Sequence, residues 1–177
     1  MLDFRRIKKE ALHMIVTIGR THGSGGREIG QLLADRLKIP CYAADIPGLS
    51  DSERIEAVRS FAAQGSCVIV GFCADHILSG TPGLIRLFIH SDMDHRSARI
   101  AKLQSISQEE ATQLALRRDR ERAMSYGCHT KARWADFSRY DLMVDSGPLG
   151  IEDTVELLCQ FIAMKVMRSR SGIHRPG

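Results

Sequence analysis

Along residues 14–167 the apolar positions follow two rhythms in turn. Continuous apolar runs, MIVTIG (14–19), CVIVGF (67–72), LIRLFIH (84–90) and DLMVD (141–145), read as strands buried on both faces. IPCYAADIPGL (39–49) adds a short extended piece and a turn marked by Pro47 and Gly48. Between these runs the spacing becomes helical. Ile29, Leu32, Leu33 and Leu37 share one face, as do Ile55, Val58 and Phe61 behind a possible cap at Asp51. A short helix is expected over 74–78, and another opens at Asp92 and carries Met93, Arg96 and Ile100. Ser107 followed by Glu110 makes a capping box before a long charged helix over 108–126. Ile151, Val155, Leu158, Ile162 and Val166 stripe the last helix, over 151–167. Strands alternating with helices predict an α/β domain, an open parallel sheet flanked by helices. In such sheets ligands bind beyond the carboxyl ends of the strands.

The first β-to-α connection falls at that edge. In TIGRTHGSGGREIGQLL (17–33) a buried run stops, Gly23, Ser24, Gly25 and Gly26 make a turn, and an amphipathic helix begins. A helix start exposes unpaired N–H groups and the positive end of the backbone dipole, and glycines let the main chain approach an anion. Two readings stand: a phosphate cradle, or a tight connection without a ligand. The usual GxxxxGK[ST] pattern is broken, with Gly26 in the lysine slot and Glu28 in the hydroxyl slot. The lost lysine takes a charge from the β- and γ-phosphates, and the lost hydroxyl takes a usual Mg²⁺ ligand. Arg20 before the turn and Arg27 just after Gly26 are the candidates to restore the charge, unless they are solvated surface residues.

Composition adds bounds. At 177 residues the chain fits one domain with a core of its own, and 44% hydrophobic with 26% charged residues is ordinary for a soluble protein. A net charge of +4 agrees with anionic ligands such as nucleotides without calling for a nucleic-acid surface. Cys41, Cys67, Cys73, Cys128 and Cys159 are odd in number and scattered, so no disulfide framework or zinc knuckle is expected. The stretch MLDFRRIKKEALH (1–13) reads as a polar leader rather than a signal peptide, and residues 168–177 as a flexible tail. No run is long enough to cross a bilayer, and a cytoplasmic location is expected.

VTIGRTHGSGGREIG, SCVIVGFCADHIL, LRRDRERAMSYG and YDLMVDSGPLGIED, in this order, resemble the conserved blocks of the cytidylate-kinase-like family of P-loop nucleoside monophosphate kinases. The resemblance spans nearly all of 14–166. It implies a three-layer α/β/α fold of the P-loop kinase type, with a parallel five-stranded sheet and a helical lid at about 105–135. It also implies ATP as donor, Mg²⁺, and CMP or dCMP as the favoured acceptor. No membrane or nucleic-acid partner is expected.

Phosphoryl transfer needs cations over the moving group. Arg118 and Arg122, four apart on one helix face, supply two, and the resemblance places Arg118, Asp119 and Arg122 in the lid. The competing reading is a salt-bridged surface helix. Asp145 ends the last strand near the nucleotide edge, where it either meets ligand or caps a turn. Asp75 and Asp92 also follow strands and could approach a metal directly or through water, whereas His90, Asp92, Asp94 and His95 have no established ligand spacing. Trp134 and Phe137 read as packing anchors. Two departures count against an ordinary kinase. Phe72 replaces the arginine expected to grip the acceptor phosphate, and the acceptor region at about 43–64 is shorter than the family's. Arg54 and Arg59 are substitutes or surface residues. The alternative to a kinase is therefore a nucleotide- or phosphate-binding module on the same fold.

Overall fold

A computed structural model describes residues 13–170. The expected leader, apart from His13, and the tail beyond Arg170 lie outside the described residues. The elements run β1 (Ile15–Arg20), α1 (Gly26–Leu37), β2 (Cys41–Ala43), α2 (Asp51–Ala63), β3 (Cys67–Val70), α3 (Ala74–Ile77), β4 (Leu84–His90), α4 (Met93–Gln104), α5 (Gln108–Thr130), β5 (Leu142–Asp145) and α6 (Ser146–Arg170). All strand pairs are parallel, in the order β2-β3-β1-β4-β5. The chain lays β2 and β3 on one side of β1 and β4 and β5 on the other. Connections therefore diverge at the carboxyl end of β1, the place where such sheets bind ligands.

Strand alternation sorts the core into two layers. Val16 and Ile18 of β1, Val68 and Val70 of β3, and Ile85, Leu87 and Ile89 of β4 pack against Ile29, Leu33 and Leu37 of α1 and Val155, Leu158 and Ile162 of α6. On the opposite face Ile15, Cys67 and Ile69 meet Val58 and Ala62 of α2 and Ala74 and Leu78 around α3. Burial on both faces explains why the strands read as unbroken apolar runs. Helices α4 and α5 form a separate pair whose small core is Ile100, Ala111 and Ala115.

Two boundaries differ from expectation and a third agrees with it. Ser50, not Asp51, caps α2: its hydroxyl accepts from Glu53 N at 3.4 Å while the Glu53 carboxylate takes the Ser50 N–H at 2.7 Å. Helix α5 runs four residues past 126, where Lys131, at φ 53, ends it by donating its N–H to Gly127 O at 2.9 Å. In α6, Gly150 (φ 73, ψ 178) breaks the helix, so the continuous part starts at Ile151 as the stripe predicts.

The stripe on α6 gives a direct test. Leu158→Ala, at a fully buried position, is expected to cost about 2–5 kcal/mol of unfolding free energy. Leu157→Ala, at a 40% exposed position, is expected to stay within about 0.5 kcal/mol. Urea unfolding that gives equal costs would contradict this helix orientation.

Candidate functional site

Beyond Arg20 the chain is held from several directions. Thr21 N–H donates to Ile89 O at 3.0 Å, extending the β1–β4 ladder by one rung. His22 N–H donates to Asp119 Oδ1 at 2.8 Å, and His22 O accepts from Arg96 Nε at 2.7 Å. Ser24 is buried; its hydroxyl donates to Thr21 O (2.9 Å) and Ile89 O (3.2 Å), and its carbonyl accepts from Ser146 Oγ at 2.7 Å. Gly25, at φ 79, is the residue before α1, and a Cβ there would lie 2.4 Å from Ile151 Cδ1. No side chain caps α1. The first backbone donor with a carbonyl partner is Ile29, to Gly25 O at 2.9 Å. The N–H groups of Gly26, Arg27 and Glu28 therefore stand without partners among the described residues, as an anion-binding helix start requires.

The missing lysine has a steric reason. A Cβ on Gly26 would sit 2.6 Å from Arg20 Cβ and 2.9 Å from Arg20 Cγ. The stem of Arg20 fills the space a residue-26 side chain would enter. The head of Arg20 turns away from the α1 start and pairs with Asp45, whose other oxygen accepts the Phe72 N–H at 3.1 Å. Arg27 is exposed and makes no ion pair among the described residues. Glu28, two residues after Gly26, pairs with Arg99 of α4, whose guanidinium carbon lies 3.6 Å from the Cβ position of Gly25.

Asp119 ties α5 to the turn. Besides His22 it accepts from Arg96, an ion pair in which the Arg96 side chain is only 8% exposed. Arg122 is largely buried; its Nη1 lies 3.8 Å from Asp119 Oδ1 and has no hydrogen-bond partner. Burial, and then the nearby Arg20 charge, lower its pKa to about 10. His22 Nε2 is likewise buried without a partner, and burial followed by the Arg122 charge lowers the ring pKa to about 4. Arg118 points elsewhere: it is half exposed and bonds Glu121 at 2.9 Å. The structure thus gathers Arg20, Arg122, Asp119 and the glycine turn, and leaves Arg118 and Arg27 outside that cluster.

On the β3 side, a cavity of about 60 Å³ is lined by Arg20, Asp45, Gly71, Asp75, Arg122 and Tyr126 among others. Tyr126 Oη donates to the buried Asp75 at 2.7 Å and accepts from Arg139 Nε at 3.0 Å. Phe72 lies between this cavity and a second of about 240 Å³ lined by Ile55, Arg59, His76 and His129. The Arg54 guanidinium sits 5.3 Å above the Phe72 ring and is bonded to Ile46 O at 3.1 and 3.2 Å; Arg59 is exposed and paired with Glu56. Asp145 accepts from Gly147 N–H at 2.9 Å, and Asp92 caps α4 through His95 N–H at 2.8 Å. Among the described residues no three His, Cys, Asp or Glu side chains group to hold a metal. Trp134 packs on Phe88 with ring centroids 5.6 Å apart, whereas Phe137, expected as an anchor, is 80% exposed. It sits in a single 3₁₀ turn that no apolar element covers. Sequence reasoning passed over Asp45 and Arg99, and noted Arg96 only as a position on its helix.

A five-stranded parallel sheet in this order, with a glycine turn opening the first helix, is the P-loop kinase fold. A gluconokinase from Sinorhizobium meliloti 1021 (TM-score 0.63, 16% identity, 92% of this chain and 99% of that one) and a shikimate kinase from Bacteroides thetaiotaomicron (TM-score 0.60, 14% identity, 84% and 98%) share it. The cytidylate kinase-like family matches residues 15–50 and 49–148, and the chain belongs to that family. The two matched segments meet just before α2. An uncharacterised protein from Eubacterium ventriosum ATCC 27560 superposes with a TM-score of 0.79 at 25% identity, over 86% of this chain and 99% of that one. A cytidylate kinase from Methanothrix thermoacetophila is 33% identical over 92 residues, 52% of this chain and 52% of that protein, so the match spans about half of the relative's length. No helix among the described residues is long and apolar enough to cross a membrane.

The state of His22 is open to test. Its ring is expected to titrate near pH 4 rather than at the ordinary value of about 6.5. Between those values the unfolded chain binds more protons, so stability is full above about pH 6.5 and falls as the pH drops towards 4. Histidine NMR with a His22→Gln assignment control checks this; a midpoint at or above 6 contradicts the buried, neutral ring.

Proposed function

We propose that this chain is a nucleotide-kinase-type phosphotransferase that moves the γ-phosphoryl group of ATP to a nucleoside monophosphate, with CMP or dCMP favoured. The observation that carries this is Arg122. It is a partly buried guanidinium whose Nη1 is buried and unpartnered, held by α5 beside Asp119 at the cavity that Arg20, Asp45 and Gly71 also line. The cytidylate kinase named above supports the acceptor class.

In this reading the amides of residues 23–28 hold the donor phosphates, with Ser24 fixing the turn and Arg27 within reach of the outer charge. An oxygen of the acceptor phosphate attacks the γ-phosphorus. The bond to the β,γ-bridging oxygen breaks, and ADP leaves with that electron pair. Arg122, assisted by Arg118 on a closed α5, neutralises charge on the transferred group, where such contacts are worth most. Asp119 positions α5 on the turn. Asp145, engaged with Gly147, borders the site and shapes the β5 end. Mg²⁺ bound with the triphosphate would offset charge on its oxygens, and no cluster of His, Cys, Asp or Glu among the described residues is placed to hold it. The cavity must open to admit a nucleotide, because 60 Å³ is far below the roughly 300 Å³ of ordinary ligand sites.

One observation favours the second reading, a binding module without transfer: Gly26 has no room for a lysine, and Arg20 points its charge at Asp45. A coupled assay with ATP, Mg²⁺ and a panel of monophosphates separates the two. Turnover is expected, greatest with CMP or dCMP, and Arg122→Gln is expected to lower kcat by about 10²–10³-fold while the melting shift given by ATP persists. ATP binding without turnover on any acceptor would leave the binding module.

A further inference from the structure

At the carboxyl end of β3 two guanidinium groups line one cavity, and its Asp45 carboxylate pairs with only one of them. Arg20, with its side chain 12% exposed, uses Nη2 on Asp45 Oδ2. Asp45 Oδ1 is committed to the Phe72 amide at 3.1 Å, which fixes the carboxylate in place. The pair lies directly on Gly71, where a Cβ would stand 2.6 Å from Arg20 Nη1 and 2.7 Å from Asp45 Oδ2. Arg122 lines the same cavity, yet Asp119, 3.8 Å from it, is already taken by His22 and Arg96. A buried cation with an unfilled donor is a standing cost until an anion arrives.

We propose that Arg20 and Arg122 together form the clamp for the acceptor's phosphate monoester, and that Asp45 is the built-in competitor which that phosphate displaces from Arg20. The proposal rests on the phosphotransferase reading. A carboxylate anchored at Oδ1 offers one oxygen to one arginine. A phosphate dianion offers three strong acceptor oxygens and satisfies the Arg20 fork and Arg122 Nη1 at once. The clamp draws its charge from β1 and α5, not from position 72, so phenylalanine there removes no charge from it. It also confers selectivity, because an uncharged nucleoside cannot displace Asp45 and finds Arg20 occupied.

Calorimetric titration with CMP, orthophosphate and ATP, without turnover, tests the clamp. Asp45→Asn keeps an oxygen for the Phe72 amide and removes the competing charge. It is expected to bind CMP and orthophosphate about five- to tenfold more tightly, because the fraction of protein with Arg20 free rises. Arg20→Gln is expected to weaken both by about tenfold or more and to cancel the gain in the double variant. ATP affinity should move less than about twofold in each. Melting curves establish that each variant folds, and Arg20→Lys, with charge but no fork, serves if the glutamine variant does not; it should lose affinity for both ligands too. Unchanged or weaker CMP binding by Asp45→Asn overturns the proposal, as does a gain seen for ATP instead of CMP, which would assign the clamp to the donor. Failure of every monophosphate to turn over counts against the proposed reaction. The binding outcomes decide the clamp separately.

Discussion

The turn between β1 and α1 is fastened by groups that lie outside it, and the rest of the site depends on this. Thr21 and Ser24 are bonded to β4, His22 to α4 and α5, and Ser24 again to the start of α6. Four elements thus hold residues 21–24 in place, and the run of amides that opens α1 is left for a ligand. Such amides bind an anion well only if they need not reorganise to meet it. The Asp119 carboxylate is the central fastening, since it joins both the His22 amide and the Arg96 guanidinium. Without it a nearly buried cation and a peptide N–H would lose their partner together, the kind of loss that costs about 3–5 kcal/mol.

The departures from the usual phosphate-binding motif follow from where charge has been placed instead. Arg20 spends its stem against Gly26 and its head on Asp45, so it cannot serve the donor side of the turn as a lysine would. His22 is neutral near pH 7, because burial and the arginines around it disfavour a further positive charge. Cationic help near the α1 start comes instead from Arg99, held by Glu28 in a partly exposed pair. A pair of that exposure is worth little to stability. Its geometry matters more, because it keeps a guanidinium beside Gly25.

Much of the fold was legible because buried parallel strands must be apolar on both faces, which makes runs such as CVIVGF conspicuous. The stripe on α6 was legible for the same reason, one face against one sheet. The glycine turn was legible as a strand, a break and a helix in the required order. The partners of that turn were not. His22 meets Asp119 across 97 residues and Arg96 meets Asp119 across 23, so no local spacing announces either. Arg20 and Asp45 belong to different connections and meet only because β3 inserts beside β1 and sets Gly71 beneath them. Position 118 shows how far helix spacing reaches. The i, i+4 spacing puts Arg118 and Arg122 on one helix face, but only the more C-terminal of the two lies over the cavity, while Arg118 finds Glu121 within its own helix.

Phe72 shows how the surrounding chain accommodates an uncharged ring beside two arginines. It lies in the left-handed region at φ 35, followed by Cys73 at φ 51, so the chain reverses tightly straight after β3. That reversal aims the Phe72 amide at Asp45 and tucks its ring under Arg54 and beside His129, 5.4 Å away. An arginine in the same place would bring a third guanidinium next to Arg20 and Arg54, with Asp45 already engaged. Like charges packed so closely, in surroundings that already lower the pKa of Arg122, repel strongly. An aromatic ring removes that repulsion, and Arg54 gains a face to lie on. Helix α2 sits close enough for Arg54 to occupy that face.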